Sequence, residues 1–406
     1  MNKQIRPTLS RARGAGEILT LFRRQECQTR ADVMELTGLS RSAVTQKLDL
    51  LLEAGYLCLA GETPSTGGRP ANRYAFNAEA GYILAAAIGA SHFSAVLATF
   101  GAQTLAETSG RIVISEGPEG VMPTIDQAFS NLLDRTGLTP KQIKGIALSV
   151  PGPVEFAQGR IVNPPIMTGW DGFCVPEWFT ERFNCAVLVD NDVNAMAYGE
   201  HTMSYPNHPH MLLIKLSTGI GCGIVMGGTL HRGAQGAAGD IGHVPAGPEW
   251  QDDRNIRCRC GNVDCVEAYA SGWAMIRDLI AEGFNVQQNE DVVALVRAGE
   301  PEAIRLIKRA SRIVGHAVAD AVSFFNPSLV LIGGYYTRVD ELILAGIRET
   351  VYRRSLPLAT KHLEILPSTL SQSASTSGLV NLLMEHILDP GIIEQQLGGS
   401  GDYAAR

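Results

Sequence analysis

Residues 210–232 read HMLLIKLSTGIGCGIVMGGTLHR, and this stretch decides the class of fold. The apolar run Met211–Leu216 has the length of a strand and ends at a glycine turn, Thr218-Gly219-Ile220-Gly221-Cys222-Gly223. A second strand, a tight turn at Gly227-Gly228 and a third short strand follow. Residues 82–107, YILAAAIGASHFSAVLATFGAQTLAE, repeat the plan, with a glycine turn near Gly89 and a tight turn at Phe100-Gly101. Helical stretches follow each copy, Val121–Thr136 after the first and Trp273–Glu282 after the second. Periodicity therefore predicts an α/β body of two similar lobes with a cleft between them.

The chain has 406 residues, enough for two or three domains with buried cores, and its 45% apolar and 18% charged content is that of a globular protein. No apolar run approaches the roughly 18 residues that cross a bilayer. The basic N-terminus is not followed by an apolar signal segment, so a cytoplasmic protein with no membrane insertion is expected. Net charge is −7 overall, but it is unevenly spread: residues 1–76 carry eleven Lys/Arg and seven Asp/Glu, the rest 23 and 34. A basic head on an acidic body is the asymmetry of a chain with one module facing phosphates.

That head reads as a winged helix-turn-helix over residues 1–76. Ile18, Leu19 and Phe22 mark a first helix; Thr29 caps a second with Asp32 as its capping-box partner, and Val33, Met34 and Leu36 supply its apolar face. Gly38 breaks that helix, Leu39 plugs the corner, and Ser40 caps a third helix with Val44, Leu48, Leu51 and Leu52 on one stripe. Arg41, Ser42 and Gln46 fall away from the stripe, where a recognition helix presents side chains to the major groove of double-stranded DNA. Tyr56–Leu59 and Tyr74–Phe76 form a hairpin whose tip, Gly68-Arg69-Pro70, offers Arg69 to a narrow minor groove. A three-helix protein-interaction module is the alternative reading of the same pattern. One head contacts one half-site, so a homodimer, or a dimer of dimers, on a palindromic operator is expected.

Three of the eight cysteines crowd together. His243 is separated by fourteen residues from Cys258-Arg259-Cys260, and four more residues lead to Cys265. One imidazole and three thiolates make a closed tetrahedral set for a structural Zn2+ ion with no open position for chemistry; unmetallated cysteines are the alternative. A further cluster, Asp190-Asn191-Asp192-Val193-Asn194-Ala195, follows the apolar stretch Ala186–Val189. A carboxylate at a strand end can take a hydroxyl proton, although a short Asp/Asn run also caps helices.

With Gly239-Asp240-Ile241-Gly242-His243, the three cysteines and Glu267 in place, the chain resembles the ROK family of bacterial repressors and sugar kinases over nearly its whole length. It is similar to the repressor branch that carries an N-terminal winged helix, as in the glucose- and N-acetylglucosamine-responsive repressors. The resemblance implies an actin-like, ribonuclease H-like sugar-kinase fold. It implies a first lobe over 77–195 completed by a helix near 377–389, a second over 196–376 with the zinc site, and a C-terminal tail over 390–406. It further implies that Asn191, Asp192, Asp240, His243 and Glu267 line a sugar site, with Asp192 at the position of the kinases' base. Ile166 stands where the kinases usually carry asparagine, and Asp240 where glutamate is common.

The family's kinases carry an aspartate at the first glycine turn, near the metal that serves phosphoryl transfer. Here the matching stretch is Ala86-Ala87-Ile88-Gly89-Ala90-Ser91-His92, and between Glu79 and Glu107 there is no Asp, Glu, Lys or Arg. Ala87 takes the place of the acid. The second turn (Thr218–Gly223) and Ile332-Gly333-Gly334 are retained, though such glycines also serve strand packing. The expectation is a transcriptional regulator of sugar-metabolism genes, a repressor and not an enzyme, whose body senses a sugar or sugar derivative. An active ATP-dependent sugar kinase with an accessory head is the rival, and a regulatory protein partner on the body is a third possibility.

Overall fold

The computed structural model of the chain describes residues 14–62, 71–251, 255–370 and 373–398. Its first helices start and stop at local chemical signals. α1 (Ala15–Arg23) buries Ile18, Leu19 and Phe22. α2 (Arg30–Thr37) begins at Thr29, whose hydroxyl accepts from the Asp32 amide at 3.2 Å while the Asp32 carboxylate accepts from the Thr29 amide at 2.8 Å. Gly38, in the left-handed region, ends α2, and the Ser40 hydroxyl caps α3 (Arg41–Glu53), which buries Val44, Leu48 and Leu51. Leu36, expected on the apolar face of α2, is 45% exposed, because the buried stripe is the narrow one through Val33 and Thr37. β1 (Leu57–Glu62) and β2 (Asn72–Phe76) pair antiparallel; Arg69 lies outside the described residues.

β3 (Tyr82–Ile88), β4 (His92–Thr99) and β5 (Thr104–Arg111) form the antiparallel half of the first large sheet. α4 (Pro118–Thr136) leads to β6 (Ile143–Val150), parallel to β3. A hairpin of β7 (Val154–Glu155) and β8 (Arg160–Ile161), then α5 (Val175–Phe179), precede β9 (Ala186–Asn191), parallel to β6. α6 (Asp192–Met203) connects to the second sheet, whose antiparallel half is β10 (Met211–Leu216), β11 (Ile220–Met226) and β12 (Thr229–Leu230). α7 (Val266–Ala270), α8 (Gly272–Ala281), α9 (Asn289–Arg297) and α10 (Pro301–Phe325) then lead to β13 (Leu329–Gly333), parallel to β10. α11 (Asp340–Arg354) and α12 (Pro357–Thr360) come before β14 (Glu364–Pro367), parallel to β13. The two strand orders, β5-β4-β3-β6-β9 and β12-β11-β10-β13-β14, are one plan used twice.

The chain then returns to the first lobe. α13 (Ser373–Ile387) packs on α6 and against β3 and β6, with Leu383 and Ile387 closing over Gly145. The segment read as a tail from residue 390 is partly helical: α14 (Pro390–Gly398) buries Ile393 and lies along α1. Its nine residues carry little periodic signal, and their partner is at the other end of the chain. The Glu394 carboxylate accepts from the backbone amides of Ala15 at 2.6 Å and Gly16 at 3.4 Å, at the positive end of α1, and the Tyr56 hydroxyl donates to Gln396 at 2.7 Å. One apolar cluster runs without a break from Ile18, Leu48 and Tyr74 in the head to Ile83, Tyr198 and Leu383 in the first lobe. Glu394→Ala is expected to destabilise this junction by about 1 kcal/mol. Denaturant unfolding measures it, and an unchanged midpoint would show the contact to be inert.

Candidate functional site

A cleft of about 1870 Å³ is walled by the first glycine turn, the Pro151-Gly152-Pro153 loop, the start of α6, the turn after β10 and the loop that carries His243. Asn191, Asp192, Asp240, His243 and Glu267 all line it, as do Ala87 and Ile166.

Asn191 and Asp192 stand where β9 becomes α6. Asn191 is the helix N-cap: its side-chain Oδ1 accepts from the Val193 amide at 2.8 Å, and its side-chain Nδ2 donates to the Gly152 carbonyl at 3.1 Å. It thus caps the helix and holds the adjoining loop with one side chain. Asp192 occupies the first helical position and pairs with the Lys215 ammonium of β10. Beneath them, Asp190 is 2% exposed and accepts from the Asn194 side chain at 2.8 Å and from Arg232 at 2.7 Å. The Arg232 guanidinium in turn lies 3.8 Å from the centre of the Phe156 ring.

Glu267, on α7, ties two walls together. It accepts from the Ile220 amide at 3.0 Å and from the Trp273 indole at 3.3 Å. A side chain at Gly219 would put its Cβ 2.7 Å from the Glu267 carboxylate, so the glycine turn and this acid are fitted to one another. Gly239 is a glycine that the site cannot replace, since its φ is 102° and a Cβ would stand 1.8 Å from the Cys222 carbonyl oxygen. That contact lays the Gly239–His243 loop on β11. Desolvation raises the Asp240 carboxyl above its ordinary range, with His243 acting in the opposite sense. On the retained turn, Gly221 and Gly223 face α6, where Val193 and Ala197 leave no room for a Cβ.

His243, Cys258, Cys260 and Cys265 bring one ligand atom each to within 4.8 Å of one another. Cys258 Sγ lies 3.6 Å from His243 Nδ1, and Cys260 Sγ lies 3.7 Å from Cys265 Sγ. A tetrahedral centre with metal–sulfur bonds of about 2.3 Å has sulfur–sulfur edges of about 3.7 Å. The cluster can therefore hold a metal ion, and none of the eight cysteines is in a disulfide. Asp264 braces the loop from behind, accepting from the Ile256 amide at 3.1 Å and the Tyr269 hydroxyl at 2.6 Å.

On the head, Arg41, Ser42 and Gln46 are exposed along the first turns of α3; the Ser42 hydroxyl lies 3.1 Å from that of Ser40. Arg69, the fourth residue expected at DNA, is outside the described residues. Sequence reasoning passed over Lys215 and Arg232. Lys215 had a signal: it is the one charge in an otherwise apolar strand, directly before the glycine turn. Arg232 had none, because its partner lies 42 residues away.

The sequence model of the ROK family matches residues 83–386. The chain is 27% identical over 362 residues to the xylose repressor of Bacillus spizizenii, covering 89% of this chain and 92% of that one. Among solved structures, a ROK family transcriptional regulator, a homolog of the E. coli MLC protein, superposes with a TM-score of 0.78 at 23% identity, over 95% of this chain and 98% of that one. A ROK family glucokinase from Streptomyces griseus, in complex with glucose and AMPPNP, superposes at 0.63 and 25% identity, over 74% of this chain and 99% of that one. No helix among the described residues is long and apolar enough to cross a membrane.

Proposed function

Because the chain belongs to the ROK family, we propose that it is a cytoplasmic, sequence-specific DNA-binding repressor of sugar-metabolism genes whose kinase-like body senses a sugar. One observation carries this reading: the head that exposes Arg41, Ser42 and Gln46 shares a single apolar core with the lobe that lines the cleft. A ligand that rearranges the cleft therefore acts on the seat of the head. Electrostatics run the same way, since the Glu385 carboxylate of α13 acts on both Tyr198 of α6 and Arg23 of α1.

In this reading Asn191, Asp192, Asp240, His243 and Glu267 take sugar hydroxyls. Zn2+ on His243, Cys258, Cys260 and Cys265 is structural, and it stiffens the loop that brings His243 to the cleft. A two-fold dimer places two copies of α3 in successive major grooves, and Arg69 enters the flanking minor groove. The body does not transfer phosphate. Phosphoryl transfer relies on charge neutralisation around the transferred group, and the first glycine turn carries Ala87 where the family's kinases carry an acid.

A coupled MgATP kinase assay over hexoses, pentoses and amino sugars, run beside calorimetry and operator binding, tests the reading. Expected are sugar binding without turnover, an operator affinity that changes with that sugar, and the reciprocal change in sugar affinity with operator. Turnover abolished by Asp192→Asn would make the chain a kinase with a DNA-binding head. Absence of sugar binding would turn attention to a protein partner on the body. Gln46→Ala is expected to cost about 1–3 kcal/mol at one base position of the half-site. Equal loss on all sequences would remove Gln46 from base reading.

A further inference from the structure

The ion pair between Lys215 and Asp192 is not required for Asp192 to accept a hydroxyl proton. We propose that Lys215 is the second half of a hydroxyl-recognition pair and that it selects an unphosphorylated sugar; this rests on the reading of the cleft as a sugar sensor. Lys215 stands directly opposite Gly221 of β11 and Gly333 of β13. Neither neighbouring strand carries a side chain beside it, so the lysine stem has a clear path across the sheet to the start of α6. The two side chains are 21% and 10% exposed, and both residues line the cleft.

An ion pair so enclosed is a poor device for stability, since two apolar residues of similar volume would commonly serve as well. Its value lies in what it presents. Asp192 uses one carboxylate oxygen on the lysine, and among the described residues neither group has another hydrogen-bond partner. The pair offers a ligand one acceptor and further N–H donors, side by side, with no net charge. A sugar hydroxyl is both donor and acceptor, so it satisfies both at once. A phosphate monoester has acceptors only and would set up to two negative charges beside Asp192 with one ammonium to offset them. The pair favours the hydroxyl.

Calorimetry on the full zinc-loaded chain, with glucose, N-acetylglucosamine and xylose beside glucose 6-phosphate and N-acetylglucosamine 6-phosphate, reads the selection directly. The expected result is that a neutral sugar binds and that any phosphate ester binds at least tenfold more weakly than its parent. Lys215→Met should lower affinity for the neutral sugar tenfold or more. That substitution leaves Asp192 without its partner, so Lys215→Met with Asp192→Asn, which removes both charges, is measured beside it, with zinc content and circular dichroism reporting the fold. Deoxy sugars, which lose both the donor and the acceptor at one ring position, should identify one position where wild type loses more affinity than Lys215→Met, in which the hydroxyl had only Asp192 to lose. A phosphate ester that binds more tightly than its parent would overturn the proposal, as would a folded Lys215→Met chain with wild-type sugar affinity. If neither sugars nor their phosphates bind, the sensing reading itself falls.

Discussion

A Cys260→Ser chain is expected to lose its metal and to unfold at a markedly lower temperature than wild type. The four ligand atoms lie within 4.8 Å of one another and span the segment from His243 to Cys265, so a bound metal cross-links that segment and supplies folding free energy to it. Structural zinc sets of this kind bind with apparent free energies of order 10 kcal/mol near neutral pH, and removal of one thiolate forfeits much of that. Burial pushes the Cys258 thiol up to about 11 and raises Cys265 as well. Both must surrender protons when the ion binds, so metal affinity should fall as pH falls. The effect should reach the cleft, because His243 lines it and Glu267 follows Cys265 by two residues. Metal analysis and thermal unfolding of Cys260→Ser, with Cys185→Ser as a cysteine outside the set, make the measurement. Equal melting of the two variants would remove the metal from the account.

Gly199→Val should be nearly as damaging, for a steric reason. α6 and α13 cross backbone to backbone: a Cβ at Gly199 would lie 1.9 Å from the Ala374 carbonyl oxygen, and one at Gly378 would lie 1.9 Å from that of Ala195. No rotamer relieves a clash made by the Cβ itself, so the helices must separate. The expected cost is about 3 kcal/mol or more, in spite of the better helix propensity of any residue other than glycine or proline. Since α13 leads directly into α14, which lies on α1, the displacement should also loosen the head and weaken operator binding. Denaturant unfolding and operator titration of Gly199→Val, and of Gly378→Val as the reciprocal change, test this. Wild-type stability in both would mean that the helices sit farther apart than described.

Much of this protein is legible without coordinates. The caps at Thr29 and Ser40, the break at Gly38, the doubled strand plan of residues 82–107 and 210–232 and the clustered His243, Cys258, Cys260 and Cys265 are short-range signals. In each, the residues that cooperate lie within one turn, one hairpin or one loop, so their spacing along the chain already states their geometry. What only the tertiary structure decided is which distant groups meet. Lys215 reaches Asp192 across 23 residues, Arg232 reaches Asp190 across 42, and Glu394 reaches Ala15 across 379. The exposure of Leu36 and the docking of α14 are set by the tertiary structure for the same reason, since both depend on surfaces that another part of the chain supplies. A charge or a carboxylate has no spacing rule tying it to a partner on another strand or helix; the partner is assigned when two sheets of the same plan close on one cleft and α13 carries the end of the chain back to its beginning.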